Sequence, residues 1–177
     1  MKKILITTLV LLIPVLLILI SGLKLVKTGN RQVSYSLTTE MRNQIDKETR
    51  GMTAFEIQIY SIKFTAKHLD FAKRNDISKG KANCVGYAQL CACVFNQALA
   101  SNKLKGYAKP VVGYVKLGRL NICHVLRSLV TAKYKNFVKD HDFVEFDYEG
   151  WIDGPRYADP CAYDLIGDDC MTFALSF

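Results

Sequence analysis

The sequence predicts an α+β fold in which helices come first and strands follow. Three observations carry that expectation. Apolar residues recur at helical spacing from about 54 to 74, and the segment from about Cys84 to Ala100 is apolar nearly all round. Downstream stretches are valine-rich or alternate polar with apolar, as strands do. A buried central helix packed on an antiparallel sheet satisfies all three.

The elements follow in order. Residues 1–30 read as an N-terminal signal anchor or signal peptide. Ile4 to Leu23 carries no charge, and its 20 residues as a helix reach about 30 Å, enough to cross a bilayer core as a transmembrane helix. Lys2 and Lys3 precede it, and "LISGLKLVK" makes a poor cleavage site, which favours an uncleaved anchor over a secreted product. Either way the domain lies outside the cytoplasm if the short N-terminus stays inside. Lys24, Lys27 and Arg31 on the far flank blur that orientation.

Residues 31–51 are polar and read as a linker or short helix ending near Gly51; residues 52–177 form one domain. Thr53 and Glu56 have capping-box spacing, with Met52 and Ile57 as the flanking apolar pair. Phe55, Ile59, Ile62, Ala66, Leu69 and Ala72 mark the expected apolar face of the helix that follows, which Lys73 and Arg74 close. Gly80 breaks the loop "NDISKGKAN". "KPVVGYVKLG" reads as a strand starting after Pro110, and "NICHVLRSLVTAKYKN" is ambiguous between helix and strand. "HDFVEFDYEG" and "WIDGPRYADP" read as two strands around a turn, the second ended by Pro160.

Composition narrows the function classes. Half of the residues are hydrophobic, which supports a packed core. The net charge is +8, but Lys2, Lys3, Lys24 and Lys27 supply half of it. The remaining bases are scattered among acids and form no stripe, so no nucleic-acid partner is expected. Six cysteines are present: Cys84, Cys91, Cys93, Cys123, Cys161 and Cys170. An exported domain permits disulfides, and Cys161 and Cys170 are near enough in sequence to bridge. Cys91-x-Cys93 and Cys123-His124 could supply metal ligands. Structural zinc sites, however, favour paired C-x₂₋₄-C spacings, and residues two apart on a helix point to different sides. No EF-hand loop is visible. No metal or cofactor is expected.

Cys84 is the chemical focus. It stands at the predicted start of a buried helix, where the helix dipole favours a thiolate. Gly86 and Ala88 keep the opening turn slim. A buried structural cysteine is the alternative. The three histidines are His68, His124 and His141. His68 lies on the polar side of the first helix. His141 opens an alternating strand and Asp159 closes the next one, with Gly150 midway between them. A hairpin folded there sets imidazole and carboxylate opposite each other, about 5 Å apart at Cβ. A base oriented by a third group is what an activated nucleophile requires.

"NCVGYAQL", "HDFVEFDYEG" and "RYADPCAYDL" together resemble the transglutaminase-like superfamily of papain-related cysteine enzymes. The resemblance covers roughly residues 52–166. It implies a transglutaminase/papain-like core with Cys84 as nucleophile, His141 as general base and Asp159 as its orienter. Tyr87 and Ala88 match the family's "YA", and Trp151 falls where it often has an aromatic residue. Asp142-Phe143 departs from the family's Ala-Trp after the histidine, and the long 117–140 segment keeps His124 as a rival base. The backbone N–H of Cys84 is the expected oxyanion donor, with Asn83 a weaker one.

The implied activity is cleavage or transfer of an amide or acyl bond in a protein or peptide substrate, through a Cys84 thioester. The alternative is a non-catalytic peptide- or glycan-binding module of the same fold.

Overall fold

A computed structural model describes residues 23–117, 120–129, 140–150 and 156–166. The chain is a mixed α+β protein. Strand β1 is Leu23–Asn30; helix α1, Thr39–Glu48; α2, Ala54–His68; β2, Asp70–Phe71; β3, Lys81–Ala82; α3, Cys84–Ser101. Then come β4, Gly106–Leu117; β5, Leu120–Asn121; α4, Ile122–Leu129; β6, His141–Tyr148; β7, Arg156–Ala158; and α5, Pro160–Ile166.

The main sheet is antiparallel in the order β1-β4-β6-β7, with β5 also pairing β4. Helix α3 packs against β4 and β6 on one side and α2 on the other. Its interior residues Tyr87, Ala88, Leu90, Cys91, Ala92, Val94, Phe95 and Ala98 have no solvent exposure. Phe95 meets Phe146 of β6 edge-on, with ring centroids 4.9 Å apart. The nearly all-apolar sequence of α3 is therefore that of a helix walled in by sheet and helix together.

The N-terminal boundary differs from expectation. Residues 23–30, assigned from sequence to the leader, form the edge strand, and Leu25 is part of the core. The 31–51 stretch contains α1, whose Ile45 is wholly buried, and so belongs to the domain. The short helix read there is present, and low apolar content hid its place in the domain: Leu37 and Ile45 are the buried apolar residues of the stretch, with Thr49 buried beside them. The apolar run from Ile4 lies outside the described residues up to its final leucine. Among the described residues no helix is long and apolar enough to cross a membrane.

Helix α2 starts with the expected capping box: Thr53 Oγ1 accepts the Glu56 N–H, and the Glu56 carboxylate accepts the Thr53 N–H at 2.8 Å. It ends at His68 rather than 74. Leu69 turns extended, and β2 pairs in parallel with β3, so Asp70 N–H donates to Gly80 O and Ala72 N–H to Ala82 O. The buried face is also rotated from the predicted one. It comprises Ile57, Gln58, Ser61, Ile62, Phe64 and Thr65, while Phe55 is 49% exposed. Polar residues can occupy that face because each is satisfied. Ser61 donates to Ile57 O, Thr65 to Ser61 O, and Gln58 Oε1 accepts the Tyr148 hydroxyl.

Strand β4 runs through Pro110 instead of starting after it. Pro110 accepts the Arg31 N–H at 3.0 Å but has no N–H to return. The ladder with β1 therefore ends at Asn30, and the proline is tolerated in a central strand because its missing donor faces the point where the edge strand leaves.

Candidate functional site

The start of α3 is built by three polar contacts. Asn83 is its N-cap and accepts the Val85 N–H on Oδ1 at 3.0 Å. The Asn83 N–H donates to Asn75 Oδ1 at 2.8 Å, which ties the 72–80 loop to the helix. Gly86 makes that approach possible: a Cβ there would lie 2.6 Å from Ala82 Cβ and 2.7 Å from Asn75 Oδ1. Cys84 is thus the first helical residue, a free and half-buried thiol. Among the described residues no acceptor takes its backbone N–H. Asn83, the weaker oxyanion expectation, spends its Oδ1 on the cap and turns its Nδ2, the group that could donate to an oxyanion, toward Lys73 O at 3.5 Å.

His141 and Asp159 meet, though not as the sequence suggested. The β6–β7 ladder pairs Val144 with Ala158 and Glu145 with Tyr157. Extended, that register sets Asp159 opposite Phe143, two residues from His141. An even offset keeps the two on one side of the ladder, diagonal rather than directly opposed. His141 Nε2 and Asp159 Oδ2 form a short hydrogen bond. Asp159 Oδ1 accepts the N–H groups of Cys161 at 3.1 Å and Ala162 at 3.0 Å. Asp159 is therefore the N-cap of α5, with Pro160 at the first helical position. The helix cap holds one carboxylate oxygen and so aims the other at the imidazole.

Cys84 lies against the same ring. Burial by itself pushes the His141 pKa down. The Asp159 charge and hydrogen bond, and then Cys84 by hydrogen bond and charge, outweigh it and hold the pKa well above the ordinary value. With Nε2 committed to Asp159, Nδ1 is the nitrogen left for the thiol. The structure thus brings Cys84, His141 and Asp159 into one cluster. His124 sits exposed on α4, its N–H donating to Asn121 Oδ1. His68 is half-buried, stacked on Phe64 with centroids 3.8 Å apart and bonded through Nδ1 to Phe64 O.

Tyr87 locks the two helices of the site together. Its hydroxyl reaches Leu69 O at 2.7 Å and the Asp164 carboxylate on α5. Burial and then Asp164 push its pKa up. Cys91 is buried beside Thr65, and burial pushes its thiol pKa up. Cys93 points elsewhere, donating to Tyr35 O at 3.4 Å. Cys161 is buried next to the cluster, its pKa raised first by burial and then by the charge of Asp159. Trp151 and Cys170 lie outside the described residues.

A cavity of about 420 Å³ opens beside the first turns of α3, between Ser34 and Tyr35, the Asn75–Ser78 turn, and Val85, Gly86 and Gln89. Its walls mix polar and apolar groups and carry no charge, and Val85, next in the chain to Cys84, links it to the cluster. Two residues near Cys84 escaped the sequence reading. Asp142 Oδ2 is 4.0 Å from Cys84 Sγ, and Arg31 holds Asp142 through Nε at 2.6 Å and Nη2 at 2.9 Å. No local signal links residues 111 positions apart.

No protein-family model matches the chain, and no curated protein or solved structure matches it.

Proposed function

We propose that the protein is a thiol-dependent acyl-bond hydrolase or acyltransferase with a transglutaminase-like core. The observation that carries this reading is the order Cys84–His141–Asp159, in which a helix-start thiol faces an imidazole whose far nitrogen is held by a capped carboxylate. His141 takes the Cys84 proton, and the sulfur attacks an amide or ester carbonyl carbon. Charge builds on the carbonyl oxygen near the untaken Cys84 N–H. His141 returns the proton to the departing amine or alcohol, leaving a thioester on Cys84. Water, or a second amine, then attacks with His141 as base, and the acyl group leaves. In this reading the mixed polar and apolar cavity lined by Val85 and Gly86, reached from Cys84 along the first turn of α3, seats part of a peptide substrate.

The apolar stretch 4–22 would tether the domain to a membrane, with β1 beginning directly after it. Full-length protein that sediments with membranes and resists carbonate extraction supports the tether; a shortened soluble form counts against it.

The chemical test is alkylation of the full-length chain across pH, read at Cys84 by mass spectrometry, for native and His141→Ala proteins. Cys84 is expected to react fastest and to remain reactive well below the ordinary thiol pKa of about 8.5, and to lose this in the variant. An inert Cys84, or one indifferent to His141, overturns the reading.

A further inference from the structure

The proposed chemistry leaves one buried charge unused. Asp142 directly follows the proposed base, and its side chain is 1% exposed. With Oδ2 4.0 Å from Cys84 Sγ, it offers the S–H a second acceptor and opposes a thiolate by like charge. Leaving such a carboxylate unpaired would be costly.

It is not unpaired. Arg31 places one N–H on each oxygen, Nε on Oδ1 and Nη2 on Oδ2, in the fork geometry that guanidinium favours. The backbone arranges this deliberately. A bulge shifts the β1 register between Lys27 and Gly29, and Pro110 then ends the ladder, freeing Arg31 to turn toward β6. The Arg31 pKa is raised, first by its hydrogen bond to Asp142 and, more weakly, by the charges of Asp142, Asp140 and Cys84. Cys84 is also faced by His141 on β6 and by Cys161 at the head of α5, with Asp159 behind the imidazole.

We propose that Arg31 is a positioning residue for Cys84. By clamping both oxygens of Asp142 it offsets the buried negative charge beside the sulfur and weakens a rival proton acceptor, so that the Cys84 proton passes to His141. This rests on the thiol reading above.

The test is the pH midpoint of Cys84 alkylation by iodoacetamide in the full-length chain, mapped by mass spectrometry. Arg31→Met exposes the sulfur to an unopposed carboxylate. The midpoint is expected to rise by about one unit or more, slowing alkylation at pH 7 about tenfold. Asp142→Asn leaves the cation unopposed, and the midpoint is expected to fall. The double variant is expected to return near native, and Arg31→Lys to lie between native and Arg31→Met. A purely structural pair would not move the two single variants in opposite directions.

Unchanged midpoints, or shifts of one sign in both single variants, overturn the proposal. If Arg31→Met does not fold, Asp142→Asn still decides: a midpoint that stays or rises refutes it. Failure of the underlying reading shows separately, as a Cys84 midpoint that does not respond to His141→Ala.

Discussion

Asp159 carries two duties on one carboxylate, and the two can be pulled apart. Asparagine caps helices as well as aspartate does but brings no charge. Asp159→Asn is therefore expected to keep α5 docked while lowering the His141 pKa toward its ordinary value of about 6.5, visible in imidazole carbon shifts by NMR titration. Asp159→Ala removes the cap as well. Relative to Asp159→Asn it is expected to cost a further 0.5–2 kcal/mol, roughly, in denaturant unfolding. Equal stability of the two variants would mean that the Cys161 and Ala162 N–H groups find water instead. A carboxylate fixed by a helix cap loses little freedom when it orients a base, and it cannot swing away when the imidazole changes charge.

Among the elements, α3 sets the geometry, because its first residue is the proposed nucleophile and its body is the core. Gly86 decides how closely the 72–82 segment approaches that first turn. Alanine has the better helix propensity by about 1 kcal/mol. Against this, a Cβ at 86 would sit 2.6 Å from Ala82 Cβ, which has no rotamer to escape into, and 2.7 Å from the Asn75 oxygen that holds Asn83. Overpacking typically costs about 1–3 kcal/mol, so the steric effect wins. Gly86→Ala is expected to lower stability by about 1 kcal/mol net and to slow Cys84 alkylation by shifting the helix start. A variant more stable than native would show that the loop yields. Helix α2 meets α3 from the other side with serine, threonine and glutamine on its buried face, which explains why its amphipathic pattern finds Ile62 and Leu69 but also points to the exposed Phe55.

For the molecule as a whole, the site joins the two ends of the described chain. Arg31 follows the first strand, Cys84 opens the central helix, His141 opens β6, and Asp159 links β7 to the last helix. Ion pairing at the site therefore contributes to global stability. The folded chain raises the His141 pKa, so it binds that proton more tightly than the unfolded chain does. The resulting stabilisation is present in full below the unfolded value of about 6.5 and is lost as pH rises through the higher folded value. The melting temperature of native protein is expected to exceed that of Asp159→Asn most near pH 6, with the gap narrowing as pH rises. A gap independent of pH would place the effect of Asp159 in the cap alone.

Local chemistry was readable in advance. The Thr53–Glu56 capping box, the start of α3 at Cys84 and the β6 and β7 strands follow from short-range patterns, since caps, periodicity and turns depend on residues a few positions apart; the grouping of Cys84 with His141 and Asp159 came instead from three separated motifs read together, and the fold places those three side chains near one another. The long-range features were not readable. That residues 23–30 are an edge strand, that β4 passes through Pro110, that α2 buries hydroxyls instead of Phe55, and that Arg31 crosses to Asp142 all depend on which element lies alongside. Strand pairing supplies the partners for a backbone, and packing selects the face of a helix, so neither is encoded in any one segment. Arg31 illustrates the limit best: in the sequence it is one more base in a polar stretch, and its partner's charge, depth and nearness to Cys84 exist only once the sheet has formed.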